Sequence, residues 1–165
     1  INGVFPREPS ELSSVVDYST NSWYGVFTLR KLEADLNTTV MNLLVVGSGG
    51  FLGVVARYGL TLLVQRSVGP LTTFPYGTLA VNLLGCLAIG MFAGFVEARQ
   101  LFGASFRLFA LVGILGGFTT FSTFGYETLT LLRSQQLMHA IASVGIHIFV
   151  GVALVAIGFW FTTAR

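Results

Sequence analysis

Charge is scarce in this 165-residue sequence: nine Lys or Arg and seven Asp or Glu make up 10% of it, while apolar residues make up 53%. With a mean hydropathy of +0.77, the chain has too little charge to cover a water-facing surface, which excludes an ordinary soluble domain. Cys86 is the only cysteine, so an intrachain disulfide and a cysteine metal site are excluded. No nucleophile–base pair or metal-ligand cluster stands out, which argues against an enzyme, and no basic patch suits nucleic acid.

The few charges are unevenly placed. Ile1–Val40 carries Glu8, Glu11, Asp17, Glu33 and Asp35 against Arg7, Arg30 and Lys31, a net −2, whereas Met41–Arg165 carries six arginines and two glutamates, a net +4. Residues 1–40 are mixed polar without a strong apolar period. They lack the basic start and short apolar core of a signal peptide. They are read as an N-terminal extension, disordered or not native, with Met41 as the expected native start; a poorly ordered regulatory tail is the alternative. Asn37-Thr38-Thr39 has the form of a glycosylation sequon, without a secretory signal to give it meaning.

Four stretches reach the roughly 20 apolar residues that a transmembrane helix needs: Leu43–Gln65, Tyr76–Val96, Leu108–Leu132 and Leu137–Thr163. The expected fold is therefore an all-α integral membrane domain over residues 41–165. Counted from Met41, one side of the membrane holds Arg99, Arg107 and Arg165 and the other Arg66 and Arg133. Orientation follows such Lys/Arg differences, and a bias this small lets a chain insert both ways, so that two copies can assemble antiparallel.

In the first span, Gly47, Gly49 and Gly53 superficially match a nucleotide-binding turn. That turn needs a strand before it and a soluble helix after it, and another membrane helix follows instead. Gly49 and Gly53 at i, i+4 form a small face for close helix contact, and Arg57 continues that stripe. An intramembrane arginine is expensive and faces the bundle or water. Arg57 can steady a neighbouring carbonyl, attract anions, or snorkel to a headgroup. In the second span Thr78, Asn82 and Cys86 share a face at i, i+4, i+8. The Asn82 amide both donates and accepts, so interhelical hydrogen bonding and an anion-facing donor both remain open.

The third span contains the run from Gly113 to Glu127, GILGGFTTFSTFGYE. Backbone at bilayer depth must be hydrogen-bonded unless it is buried in protein or lines a cavity. Gly116-Gly117 weakens the helix, and Thr119, Thr120, Ser122 and Thr123 offer hydroxyls beside the break, which marks a binding or conduction site. Phe121 and Phe124, at i, i+3, share a face, and their electropositive ring edges attract a small anion weakly enough to let it pass. Glu127 caps or pairs near the helix end. In the fourth span His139, Ser143 and His147 lie at i, i+4, i+8. His147 forms either an interhelical hydrogen bond or part of a pore lining.

Taken together, GGFLGVVARY, YGTLAVNLLG and GGFTTFSTFGYE resemble the Fluc (CrcB) family of bacterial fluoride channels, over nearly all of Met41–Arg165. The resemblance implies a multi-pass protein of the bacterial inner membrane. It implies an antiparallel, dual-topology homodimer of four-helix subunits, each with its third helix broken mid-membrane. The partners expected are a second copy, the lipid bilayer and the fluoride ion, which the channel exports passively to reduce fluoride toxicity. Carried over by motif position, Phe121 and Phe124 are the aromatic pore residues, Asn82 the pore amide and Arg57 the first-helix arginine. Ser122, Thr123 and His147 join them as pore candidates. A structural sodium ion would be held by the backbone carbonyls of Gly116 and Thr119. One departure is the fourth helix, where many members carry a tyrosine and a serine and this chain has Ser143 and His147. The alternative to a channel is a small proton-coupled multidrug exporter of dual topology, but such exporters use a first-helix carboxylate that this sequence lacks.

Overall fold

The computed structural model describes residues 22–69, 72–99 and 103–164. The expectations for residues 1–21, including Arg7, Glu8, Glu11 and Asp17, lie outside them, as do Pro70 and Arg165. Every regular element among the described residues is helical. Helix α1 is Ser22–Val68 and α2 is Tyr76–Arg99. Helix α3 spans residues 104–118, as Ala104–Arg107, a π-helical stretch Leu108–Leu115 and a last turn Gly116–Phe118. Helix α4 is Phe121–Arg133. Helix α5 runs Leu137–Thr163, with a π-helical turn at Ile146–Val150.

Four segments are long and apolar enough to cross a membrane: Arg30–Val68, Tyr76–Ala98, Ala104–Arg133 and Leu137–Thr163. The last matches the bounds expected from sequence. The first begins well before the expected Leu43, because no glycine or proline interrupts residues 26–46 and nothing stops the helix propagating. In that stretch Thr38 and Thr39 return their hydroxyls to the Ala34 and Asp35 carbonyls, a local bond that suits a threonine inside a helix.

By its internal contacts the chain groups into two units, Ile1–Met41 and Asn42–Arg165. The second unit holds the remaining helices. It buries few large side chains; Val81, Leu131 and Ala140 are its buried apolar residues. Lipid is as apolar as leucine, so membrane helices gain little by hiding apolar surface from one another and associate through close packing and polar contacts. Glycine provides that closeness. On α2, a Cβ at Gly90 would collide with the Val155 carbonyl oxygen of α5, and one at Gly94 would sit 2.7 Å from the Phe159 carbonyl oxygen. Between α1 and α3, a Cβ at Gly49 would lie 3.1 Å from Gly113 Cα, and one at Gly117 would lie 2.6 Å from the Gly50 carbonyl oxygen. The stripe expected at Gly49 and Gly53 is thus a backbone-to-backbone seam.

Two caps set the connections. Gly69 takes a positive φ of 88° after α1 and donates to the Gln65 carbonyl at 3.1 Å. After α4, Gln135 takes φ 57°, while Gln136 donates to the Leu131 carbonyl and Gln135 to that of Leu132. This is a Schellman closure, with glutamine where glycine is usual.

Candidate functional site

Helical geometry stops at Phe118. Thr119 (φ −82°, ψ 158°) and Thr120 (φ −151°, ψ 115°) are extended, and α4 starts at Phe121. Two extended residues inside an apolar span leave peptide groups without their helical partners, and each must be paired. Asn82 on α2 supplies most of that pairing. The Thr120 N–H donates to Asn82 Oδ1 at 2.9 Å, and Asn82 Nδ2 donates back to the Thr120 carbonyl at 3.1 Å. One amide side chain therefore grips both polar groups of one residue across the helix gap. The Thr119 carbonyl receives a longer bond, 3.4 Å, from Arg57 Nη1. Thr119 Oγ1 turns back to the Leu115 carbonyl.

Thr120 also caps the new helix. Its Oγ1 accepts from the Thr123 N–H at 3.3 Å, the usual service of an N-cap threonine, and bonds the Thr123 hydroxyl at 3.0 Å. Ser122 Oγ lies 3.4 Å from the same oxygen. The hydroxyls singled out in the sequence thus form one cluster at the start of α4. Thr120 had no individual role assigned beforehand. A threonine just before the helical pattern resumes was the signal that could have given it one.

Two cavities flank the break, and Thr120 lines both. One, of about 420 Å³, is lined by Asn82, Cys86, Gly116, Thr119, Phe121, Phe124 and His147 among others. The other, of about 290 Å³, is lined by Arg57, Tyr58, Thr61, Thr78, Thr123 and Glu127 with Val54, Val81 and Thr120. Phe121 and Phe124 have ring centroids 5.6 Å apart at a tilt of 54°, and Phe124 lies 4.3 Å from the His147 ring. Phe121 is 83% exposed in the single chain. His147 Nε2 is 3.2 Å from Asn82 Nδ2, and His147 Nδ1 is 2.8 Å from the Ser143 carbonyl. In the second cavity Thr78 Oγ1 donates to Glu127 Oε1 at 2.7 Å, so Glu127 pairs with α2.

The structure therefore brings Asn82, Phe121, Phe124 and His147 together around one cavity. Arg57 and Thr123 line the other, and Ser122 joins the hydroxyl cluster between them. Ser143 is wholly buried and enters through its carbonyl; its hydroxyl finds no partner. Of the face Thr78, Asn82 and Cys86, the first two bind α4 and the break, and the third lines the cavity.

The Gly116 and Thr119 carbonyls were expected to hold a cation; both lie at the break, and that of Thr119 also accepts from Arg57. In an α-helix each carbonyl accepts from the N–H four residues on. For Gly116 that donor is Thr120, whose N–H goes to Asn82 Oδ1 instead; for Thr119 it is Thr123, whose N–H goes to Thr120 Oγ1. Both oxygens thus leave the helical ladder, and carbonyl oxygens suit hard cations.

A four-span helical bundle with a polar cluster at a helix interruption defines a multi-pass membrane protein. Its residues 44–159 match the family described as CrcB-like protein, Camphor Resistance (CrcB). The chain is 41% identical over 117 residues, 71% of its length, to 91% of a protein of Chloroflexus aurantiacus named fluoride-specific ion channel FluC. Proteins of the same name from Flavobacterium psychrophilum (41% over 103 residues, 62% of this chain and 82% of that one) and Helicobacter pylori (42% over 113 residues, 68% and 85%) are similarly related. The chain belongs to the CrcB-like family.

Proposed function

We propose that this protein is a passive, fluoride-selective ion channel of the bacterial inner membrane that releases cytoplasmic fluoride and so reduces its toxicity. The observation that carries this reading is about 40% identity to proteins named fluoride-specific ion channels, together with a family match over residues 44–159 that includes the whole of the break between α3 and α4. Fluoride is small and strongly hydrated, so a pore must replace its water with other electropositive groups. The rings of Phe121 and Phe124 can turn electropositive edges to the ion. The hydroxyls of Ser122 and Thr123 add donors that rotate to suit it. Such contacts are individually weak, which lets an ion leave as readily as it enters. Asn82 and Arg57 hold the interrupted backbone in place, and Arg57 also brings a positive charge to the cavity beside it.

The active unit in this reading is an antiparallel homodimer of dual topology, with the interruption of each third span at mid-membrane depth. The nearly balanced arginines on the two sides and the outward-facing Phe121 support it, since a second copy would complete the surface that Phe121 exposes. A sodium ion at the Gly116 and Thr119 carbonyls would, when bound, offset their converging dipoles. The exporter alternative has no support in the relatives, which are named fluoride-specific ion channels.

Purified protein in liposomes tests the function. Fluoride efflux that needs only a potassium ionophore to balance charge, with little chloride efflux under the same conditions, is the expected result. Tight vesicles from well-folded protein would overturn the reading.

A further inference from the structure

The hydrogen bonds around Asn82 determine where the proton sits on His147. The amide's orientation is set by Thr120, whose N–H faces Oδ1 at 2.9 Å and whose carbonyl faces Nδ2 at 3.1 Å. Nδ2 carries two hydrogens; one goes to Thr120 and the other points to His147 Nε2, 3.2 Å away. Nε2 must then be the accepting nitrogen, and the single proton of the neutral ring lies on Nδ1, where it donates to the Ser143 carbonyl at 2.8 Å. With the ring neutral, every polar atom of the pair is satisfied, and neither residue has an N–H left for an anion.

Protonation reverses one of these bonds. When Nε2 takes a proton from water, Nδ1 keeps its bond to Ser143, and Nε2–H and Nδ2–H become two donors facing each other. The amide cannot relieve this by turning over. Rotation would set its NH2 against the Thr120 N–H and its oxygen against the Thr120 carbonyl, costing two part-buried bonds to mend one. What the pair then lacks is an acceptor.

We infer that protonated His147 and Asn82 form a two-donor site for one small anion, placed beside Phe124 in the cavity that both residues line. The ring of Phe124, 4.3 Å from the imidazole, flanks the position, and none of the residues lining this cavity is a carboxylate that could neutralise the imidazolium instead. Cys86 on α2 is the other titratable group of that cavity. Arg57 on α1 and Glu127 on α4 line the cavity across the break, bonded to the Thr119 carbonyl and to Thr78. On α5 itself, His139 lies two turns earlier, its ring 5.9 Å from that of Phe74. A half-buried cation in an apolar span is costly without a counter-ion, so anion and proton favour each other's binding by the same factor. The inference rests on the channel reading only for the identity of the anion, fluoride. Its consequence is that ion occupancy at this point of the path rises as pH falls.

Nitrogen NMR of histidine-labelled protein in bilayers, in a His139→Gln background so that only His147 reports, tests this. The titration is run in sodium fluoride and in sodium chloride of equal ionic strength. The expected result is that the neutral ring carries its proton on Nδ1 and that fluoride, unlike chloride, moves the titration midpoint up by about one pH unit, equivalent to a roughly tenfold preference for the protonated form. A midpoint that fluoride does not move, or that chloride moves equally, overturns the inference. Fluoride efflux read on the same preparation at neutral pH decides the channel reading separately, so the two failures are distinguishable.

Discussion

Along the contact between α2 and α5, Gly90, Gly94 and Gly158 let two backbones meet; at the break between α3 and α4, Gly116-Gly117 stay helical and the backbone opens after them, at Thr119 and Thr120. In the first region every peptide stays within its helix, and what glycine provides is absence of bulk. A Cβ at Gly158 would sit 2.5 Å from the Leu87 carbonyl oxygen. In the second, the Thr120 peptide leaves the helix and is held by a side chain from α2, while the Thr119 carbonyl is held by one from α1. The contrast separates two uses of small and polar residues in a membrane: one builds the bundle, the other presents backbone and hydroxyl groups to a cavity. Substitutions in the first region should therefore change folding without changing the chemistry, and substitutions in the second should do the reverse.

The largest effect is expected in the first region. Gly90→Ala forces the Val155 backbone away, and overpacking of this kind costs about 1–3 kcal/mol or more. Size-exclusion chromatography in mild detergent should show most of the protein lost from the folded peak, with normal fluoride flux per molecule that remains. Next comes Asn82→Ala, which strips the Thr120 peptide of both its partners; a buried polar group left unpaired costs about 1–3 kcal/mol. The folded peak should shrink less than for Gly90→Ala, because the freed groups are only part-buried, while fluoride efflux per folded molecule falls by roughly tenfold or more, since Thr120, which lines both cavities, loses its hold. If instead Asn82→Ala fails to fold and Gly90→Ala folds but does not conduct, the division of labour is the wrong way round.

A smaller effect tests the cation reading of the same break. Replacing sodium with a bulky organic cation should lower the melting temperature of the detergent-solubilised protein, because a ligand that binds only the folded state stabilises it by about 0.8 kcal/mol at roughly three times its dissociation constant. A melting temperature indifferent to sodium would count against a bound ion at Gly116 and Thr119. Smallest of all is Gly47→Ala on α1, where nothing lies within 4 Å of an added Cβ. Stability should change by less than about 0.5 kcal/mol, and flux should not change.

The same two regions differ in how far they can be read from sequence. The spans were legible because hydropathy depends on composition alone, and α5 was delimited to the residue. The glycine stripe at Gly49 and Gly53 was legible because i, i+4 spacing fixes a helix face. The run GGFTTFSTFGYE pointed to the right place, but sequence spacing could not say what Asn82 does there. Its donors could serve an anion or a backbone, and only the distance to Thr120 decides that, in this state, they are committed to Thr120 and His147. Two features escaped for definite reasons. The reach of α1 back beyond Leu43 was not legible because that stretch has a weak apolar pattern, although residues 26–46 contain no glycine or proline. The π-helical stretches Leu108–Leu115 and Ile146–Val150 shift the hydrogen-bond register while leaving hydropathy unchanged.

The central claim is that ions pass beside the rings of Phe121 and Phe124. The most direct measurement is fluoride efflux from liposomes carrying wild type, Phe121→Ile or Phe124→Ile, with folding checked by chromatography. Isoleucine keeps the bulk and apolar character but removes the electropositive ring edge. Rapid efflux by the wild type and a loss of roughly tenfold or more in each folded variant, about 1.4 kcal/mol at the rate-limiting step, is the predicted result. Folded variants that release fluoride as fast as the wild type would contradict the account.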